Sequence, residues 1–225
     1  MTRINKLTNF AFLLIITAYA PSAFAIPELK LSSGGTTVDI LEASVKDSCP
    51  AADCVTYIGA VGSWQVDVTT GIEGELPFFE FNSINAIRSG GQKSPLTISF
   101  SDDGLTLPGA FVFDVGGTLS STSSKHVISF QAWTDTVKFG HAHEIGSILT
   151  FHTTPFSGTT KGSTGSKNSA LTIGAYIDLG SRNARGAMSF DASLTPVVPE
   201  PASVSMLGGA LLLLASALRR QMKRN

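Results

Sequence analysis

The segment GAMSFDASLT, residues 186–195, alternates apolar and polar side chains from Met188 onward. In an extended chain, successive side chains point to opposite faces, so its apolar residues share one face and its hydroxyl and acidic residues share the other. The same period of two recurs in SWQVDVTTG (63–71), LTISFSDDG (96–104) and SALTIGAYIDLG (169–180). This pattern predicts antiparallel strands with one buried face and one solvated face.

Shorter runs of the same kind predict further strands, separated by turns rich in Gly and Ser. These strands are predicted at 29–31, 37–41, 55–61, 110–115, 127–133 and 148–152. We expect turns at 32–35, 89–95 and 115–124, a hairpin turn at 101–104, and a long loop at 156–170. The predicted fold is therefore an all-β antiparallel sandwich of two sheets, and a jelly roll is one form that such a sandwich takes.

The composition limits the classes of partner. The 225 residues carry 16 basic and 17 acidic side chains, for a net charge of −1. This balance provides no general attraction to nucleic acid, so we expect no nucleic-acid partner. The length fits one domain with short appendages.

The first 25 residues have the pattern of a secretory signal peptide. Basic residues Arg3 and Lys6 precede an apolar run, and Ala23-Phe24-Ala25 supplies small residues for cleavage after Ala25. The alternative is an N-terminal transmembrane helix, but the run is shorter than the roughly 20 residues that a span needs. We therefore expect the translocon and signal peptidase as partners, and a mature body at 26–195.

The two cysteines, Cys49 and Cys54, lie in DSCPAADC. A close pair in an exported chain favours a structural disulfide over free thiols. The spacing does not match a C-x-x-C redox motif, and the pair alone provides too few ligands for a zinc site.

The tail, PVVPEPASVSMLGGALLLLASALRRQMKRN at 196–225, has three parts. Pro199 and Pro201 flank Glu200 and favour an extended backbone there. Residues 202–218 carry no charge, and as a helix they would span roughly 25 Å, just enough for a thin bilayer. A basic cluster that favours the cytoplasmic side follows at once: Arg219, Arg220, Lys223 and Arg224.

This tail resembles the PEP-CTERM sorting signal of Gram-negative bacteria. The resemblance implies that Pro199, Glu200 and Pro201 form the motif read by exosortase, a membrane-embedded transpeptidase. It also implies that the apolar helix is a transient inner-membrane anchor and that the basic cluster is a stop signal. A permanent single-span anchor is the alternative reading of the same residues. The body loosely resembles the β-rich ectodomains that precede such tails, through VGSWQVDVTTG and SFDASL.

Candidate chemistry in the body is sparse. His141 and His143, in KFGHAHEIG, would share a face if they lay on a strand, and are candidate zinc or copper ligands. The alternative is an ordinary exposed strand. Glu73, Glu75 and Glu80 are spaced through a predicted loop and do not by themselves define a glycosidase pair. The sequence contains no nucleophile elbow, phosphate loop or dinucleotide fingerprint, so we expect no cofactor.

One aromatic residue is a candidate for stacking on sugars. Trp133 falls on the face opposite Ile128, Phe130 and Ala132, whereas Trp64 shares the apolar face of its strand. We expect a non-enzymatic envelope or extracellular-matrix protein. The resemblance of the tail implies its delivery to the cell surface and an association with exopolysaccharide or biofilm. A carbohydrate- or surface-binding module is the alternative, and a hydrolase is the third reading.

Overall fold

The computed structural model describes residues 26–197, except 52, 74–77, 90, 92–93, 108 and 166–167. The predicted signal peptide (1–25), the Pro199–Glu200–Pro201 motif, the apolar segment and the basic cluster therefore lie outside the described residues. Within the described part, no helix is long and apolar enough to cross a membrane.

The described chain forms β-strands joined by turns and loops. In chain order the strands are β1 (Glu28–Ser33), β2 (Thr36–Leu41), β3 (Cys54–Val61), β4 (Trp64–Glu73), β5 (Phe78–Arg88), β6 (Leu96–Asp102), β7 (Ala110–Ser121), β8 (Val127–Asp135), β9 (His143–Phe151), β10 (Phe156–Ser163), β11 (Ala170–Asp178) and β12 (Gly186–Pro196). They build two six-stranded sheets in which neighbouring strands run antiparallel. Sheet A has the order β2-β1-β6-β11-β8-β9, and sheet B has the order β10-β7-β12-β5-β4-β3.

The two sheets pack face to face in a jelly-roll-type sandwich, which confirms the predicted fold class. The chain changes sheets repeatedly after β5, so β11 is inserted between β6 and β8, and β12 between β7 and β5. Phenylalanines join the layers: the ring centroids of Phe79 and Phe100 lie 5.3 Å apart, and those of Phe130 and Phe190 lie 5.0 Å apart. The apolar faces predicted from alternation are the inner faces of these sheets.

Trp64 lies in this core, as its position on an apolar face predicts. Its side chain is 1% exposed. The indole Nε1–H donates to the carbonyl oxygen of Ser94 at 2.9 Å, so its one polar group is satisfied inside the sandwich.

Several predicted loops are wrong. The loop predicted at 156–170 contains β10, and the turn predicted at 115–124 is largely occupied by the end of β7. Strand β10 is an edge strand that pairs only with β7, so it needs few apolar side chains. The hairpin turn predicted at 101–104 is also wrong, because β6 and β7 belong to different sheets.

Strand β5 is missing from the sequence prediction, and Glu80 lies on it rather than in a loop. The strand breaks its period of two at Asn82 and Ser83, which are both exposed. The register with β4 shifts at Thr69 and Thr70, and the register with β12 shifts between Phe190 and Ala192. Such bulges bend a strand and increase its twist, so they curve sheet B at this level.

Both ends of the described chain lie at the same end of the sandwich. Glu28 opens β1 opposite Ser101, near the end of β6. Val197 follows β12, and its N–H donates to the carbonyl oxygen of Ala110, at the start of β7. The loop between β6 and β7 joins these two points. We call this end of the molecule the disulfide end, because it also carries the loop 42–53.

The predicted disulfide between Cys49 and Cys54 is present, with Cα atoms 6.1 Å apart. Asp47 organises the loop around it. Its carboxylate accepts hydrogen bonds from the N–H groups of Ala43 (3.0 Å), Cys49 (2.8 Å) and Thr56 (2.9 Å). The last of these ties the loop to β3.

Candidate functional site

A loop that we call the strap, residues 136–142, connects β8 to β9 and crosses the outer face of sheet A. It reaches as far as β1, where Lys30 Nζ lies 4.2 Å from the ring centroid of Phe139. The Phe139 N–H donates to Ser101 Oγ at 3.1 Å. Lys138 forms an ion pair with Asp103 at 3.7 Å and donates to the carbonyl oxygen of Ile26. The strap therefore covers one end of this face and leaves the middle open.

Asp135, at the end of β8, closes the strap at its base. Its Oδ1 accepts from the Thr136 N–H at 2.6 Å, and its Oδ2 accepts from the Ala142 N–H at 2.9 Å. These hydrogen bonds favour the charged carboxylate, so they hold the pKa of Asp135 below its usual range. Gly140 is required beside it, because a Cβ there would lie 2.2 Å from Asp135 Oδ2.

His141 of the strap packs against Trp133. The two rings stack with centroids 4.0 Å apart and an interplanar angle of 24°. At the other side of the indole, a Cβ built on Gly174 would lie 2.9 Å from Trp133 Cζ3 and 3.4 Å from Cη2. The edge of the indole at Cζ3 and Cη2 therefore packs against Gly174 of β11, and the His141 imidazole covers one face of the indole. These two contacts restrict the Trp133 side chain to one orientation.

Beside this ring pair is a small cleft on the outer face of sheet A, which we call the aromatic cleft. Its volume is about 120 Å³. Trp133 and His141 form one wall; Tyr176 (41% exposed) and Ile148 (59% exposed) also line it. Gly174 also lines the cleft, and its lack of a side chain makes room for the edge of the Trp133 indole. Its remaining described lining consists of Thr97, Ser99, Ser129, Phe130, Gln131 and Ala175.

Gln131 provides a fixed polar group in the lining. Its side chain is 4% exposed. Its Nε2 donates to the carbonyl oxygens of Ala132 at 3.2 Å and Gly146 at 3.4 Å. Because the amide nitrogen is held in this way, the side chain cannot turn freely toward a ligand.

The two candidate metal ligands are placed apart in the fold. Strand β9 begins at His143, so His141 lies in the strap, and the shared strand face assumed for the pair is wrong. His143 Nε2 lies 3.0 Å from the carbonyl oxygen of Ser163, whereas His141 stacks on Trp133. Across the described ranges, no three His, Cys, Asp or Glu residues are grouped so that they could hold a metal ion. Metal binding by His141 and His143 stays a prediction.

Trp133 lies on the strand face that alternation in the sequence predicts for it. Ile128, Phe130 and Ala132 are fully buried, and Trp133 lies on the opposite, outer face. Sequence reasoning missed its partners in the cleft. Alternation in SALTIGAYIDLG does place Tyr176 on the outer face, but only the pairing of β11 with β8, which sets Tyr176 opposite Ser129, puts that residue in the same cleft as Trp133.

No family model and no curated protein matches this chain. Solved structures resemble it distantly. An arabinose-bound α-L-arabinofuranosidase, MgGH51, aligns with a TM-score of 0.36 and 10% identity over 69% of this chain, which spans only 25% of that enzyme. The module TmCBM61 in complex with β-1,4-galactotriose aligns with a TM-score of 0.33 and 14% identity. That alignment covers 62% of this chain and 92% of the module.

A family 11 carbohydrate-binding module from Clostridium thermocellum, in complex with a mixed-linked tetrasaccharide, gives a TM-score of 0.33 and 10% identity. That alignment covers 77% of this chain and 98% of the module. Similarity at this level says nothing about a ligand of this chain.

Proposed function

We propose that this chain is an exported, non-enzymatic glycan-binding protein whose aromatic cleft receives a sugar ring. The observation that carries the proposal is the placement of Trp133 and Tyr176 in the lining of one cleft, on the solvated face of a sheet whose Gly174 makes room for the indole edge. Small-molecule sites are concave, largely apolar, and edged by a few polar groups. The aromatic cleft has this character.

The chemistry of the cleft fits a sugar. A pyranose ring has an apolar face of C–H groups that packs against an aromatic ring, and hydroxyl groups at its rim that seek hydrogen bonds. Trp133 and Tyr176 offer aromatic surface in a lining that is almost entirely apolar. Thr97 and Ser99 also line the cleft, and the hydroxyl of Ser129 is hydrogen-bonded to that of Thr150 at 3.1 Å. If the rings bury about 80 Å² of apolar surface, the contact contributes on the order of 2 kcal/mol.

Preorganisation supports the proposal further. The stack with His141 and the edge contact with Gly174 already restrict the indole. Binding a ligand therefore costs little additional side-chain entropy, which is the usual advantage of a rigid aromatic anchor.

The described lining of the aromatic cleft also favours binding over hydrolysis. A glycosidase needs two carboxyl groups flanking the bond that it cleaves. The described lining of this cleft contains no Asp or Glu. We therefore propose that the aromatic cleft binds a sugar without hydrolysing it.

A glycan array tests this proposal. Wild-type protein should bind a subset of oligosaccharides, and Trp133→Ala should lower the affinity about thirtyfold, as expected for a loss on the order of 2 kcal/mol. Trp133→Phe keeps an aromatic ring and should retain part of the affinity. The matched control is Ile58→Ala, which removes an exposed apolar side chain (67% exposed) from sheet B. Equal binding by wild type and Trp133→Ala would rule out the cleft as the site.

We further propose that the tail delivers the protein to the cell surface or the exopolysaccharide layer through exosortase. The sequence of the tail supports this route, and the disulfide at Cys49 and Cys54 agrees with an oxidising compartment. In this proposal, Pro199, Glu200 and Pro201 are recognised, the apolar helix holds the protein briefly in the inner membrane, and the basic cluster stops translocation.

Mass spectrometry of the mature protein tests the delivery route. In cells that contain exosortase, the C-terminal peptide should end near the Pro-Glu-Pro motif. The double variant Pro199→Ala/Pro201→Ala should keep the whole tail, and deletion of exosortase should have the same effect. A wild-type protein that still carries Leu211–Leu214 in exosortase-containing cells would favour a permanent anchor.

A further inference from the structure

The outer face of sheet B, opposite the aromatic cleft, contains a groove with a volume of about 680 Å³. The groove crosses β10, β7, β12 and β5, which are neighbours in the sheet. Three strand spacings make it roughly 14 Å wide in that direction. The bulges near Asn82 and between Phe190 and Ala192 curve the sheet at this level. At roughly 14 Å across the strands, the groove is longer than a single sugar ring.

The strand register arranges the groove's side chains in two rows. The first row runs across the four strands through Thr159, Asp114, Ser193 and Glu80. The second row contains Ser157, Gly116 and Asp191, with Asn82 at the bulge of β5. The first row therefore presents a polar group on each of four neighbouring strands, which suits a chain of repeating units better than a compact ligand.

The polar groups of the groove are acidic or neutral. Glu80, Asp114 and Asp191 provide carboxylates, and Thr159 Oγ1 donates to Asp114 Oδ1. The lining contains neither Lys nor Arg among the residues that the structure describes. Carboxylates accept strong hydrogen bonds from hydroxyl groups and repel anions. This chemistry selects a neutral polyhydroxylated chain over one that carries uronate or sulfate groups.

Gly116 opens the floor of the groove between these groups. A Cβ at this position would meet only the carbonyl oxygen of Phe156, at 3.9 Å. Because the backbone of Gly116 needs no left-handed conformation, the sheet would tolerate a side chain there. The glycine thus leaves space for a ligand to lie close to the backbone of β7.

We infer that the groove on sheet B is a second binding site, which holds a neutral, extended oligosaccharide by hydrogen bonds to Glu80, Asp114, Asp191 and the neighbouring hydroxyl groups. The site is distinct from the aromatic cleft in position and in chemistry. With both sites occupied, one molecule joins two glycan chains on opposite faces of the sandwich.

Isothermal titration of the exported chain tests this inference in a Trp133→Ala background, in which the aromatic cleft is disabled. The probes are neutral gluco-, xylo-, manno- and galacto-hexasaccharides and a hexauronate. At least one neutral hexasaccharide should bind, and the hexauronate should not. Gly116→Leu fills the groove and should lower the affinity at least tenfold. Asp191→Asn, which weakens charge-assisted hydrogen bonds, should lower it about tenfold.

The matched control is Asp67→Asn, an exposed carboxylate of β4 on the same face but outside the groove lining; it should leave the affinity unchanged. The groove is not a site if no neutral hexasaccharide binds Trp133→Ala, or if Gly116→Leu binds as well as its parent. Thermal melting of each variant confirms that it is folded. If Gly116→Leu, introduced into the wild-type protein, abolishes all glycan binding, the groove is the binding site and the aromatic cleft is not.

Discussion

At the scale of single residues, Asp102 is a titratable group whose pKa the fold shifts strongly. It ends β6 with its side chain 2% exposed, and its Oδ1 accepts from the Asp103 N–H at 2.9 Å. Burial raises the pKa of Asp102 to about 7, and the nearby Lys138 opposes that rise only in part. The carboxyl therefore remains protonated in the folded protein under conditions in which it would ionise in the unfolded chain.

This shift predicts the sign of a pH effect on stability. Between pH 3.8 and about 7 the folded state holds a proton that the unfolded state releases, so the free energy of unfolding falls as the pH rises through this range. Asp102→Asn stays neutral and keeps an oxygen acceptor for Asp103. We expect the melting temperature of wild type, relative to Asp102→Asn, to fall from pH 5 to pH 8.

Thermal denaturation at several pH values measures this difference, with Asp67→Asn as the control for removal of an exposed carboxylate. A constant difference between wild type and Asp102→Asn across this range would contradict the assignment.

Individual residues also show how far sequence reasoning reaches. Period-two alternation was sufficient to place Trp64 inside and Trp133 outside, because both lie on regular strands. The stack of His141 on Trp133 could not be derived in the same way. It depends on the path of the strap, and that path is set by Asp135, Gly140 and distant contacts with Ser101 and Lys30.

At the scale of elements, the strap is the feature most open to experiment. Asp135→Asn would replace the Oδ2 acceptor with an NH₂ group that faces the N–H of Ala142, so two donors would meet. We expect the strap to loosen and His141 to leave the indole, with weaker sugar binding at the aromatic cleft and a changed Trp133 fluorescence.

Tryptophan emission and limited proteolysis after Lys138 are the measurements, again with Asp67→Asn as the matched control. Cleavage at Lys138 should become faster in Asp135→Asn alone. Unchanged emission and unchanged cleavage would show that the strap does not depend on this carboxylate.

Strands β5 and β10 explain why part of the fold escaped prediction. The bulge at Asn82 and Ser83 interrupts the alternation of β5. Strand β10 is polar because it forms an edge of sheet B, where backbone pairing with β7 replaces a continuous apolar face. Patterns of side chains identify strands with two well-defined faces, and they fail where backbone hydrogen bonds or a bulge decide the structure.

At the scale of the whole molecule, Phe130 connects the two sheets. Its ring lies 5.0 Å from that of Phe190, 5.8 Å from that of Phe156 and 6.1 Å from that of Phe151, measured between centroids. We expect Phe130→Ala to lower the free energy of unfolding by about 3–5 kcal/mol, because it leaves a cavity between the layers. Ile58→Ala, on the exposed surface of β3, should change it by less than about 0.5 kcal/mol.

Urea denaturation measured by both near- and far-ultraviolet circular dichroism checks this prediction. The two signals should shift together, because the layers share one core. A loss below about 1 kcal/mol in Phe130→Ala would mean that the cavity collapses with little strain or that the layers unfold separately.

The two ends of the sandwich differ, because both ends of the described chain lie at the disulfide end. Val197 and Ile26 lie at this same end of the body. In the membrane-held intermediate proposed above, the body would therefore be attached at one end, and the parts of both outer sheet faces that the strap does not cover would stay exposed. Under the proposals made above, glycan binding would then be possible before the tail is cut.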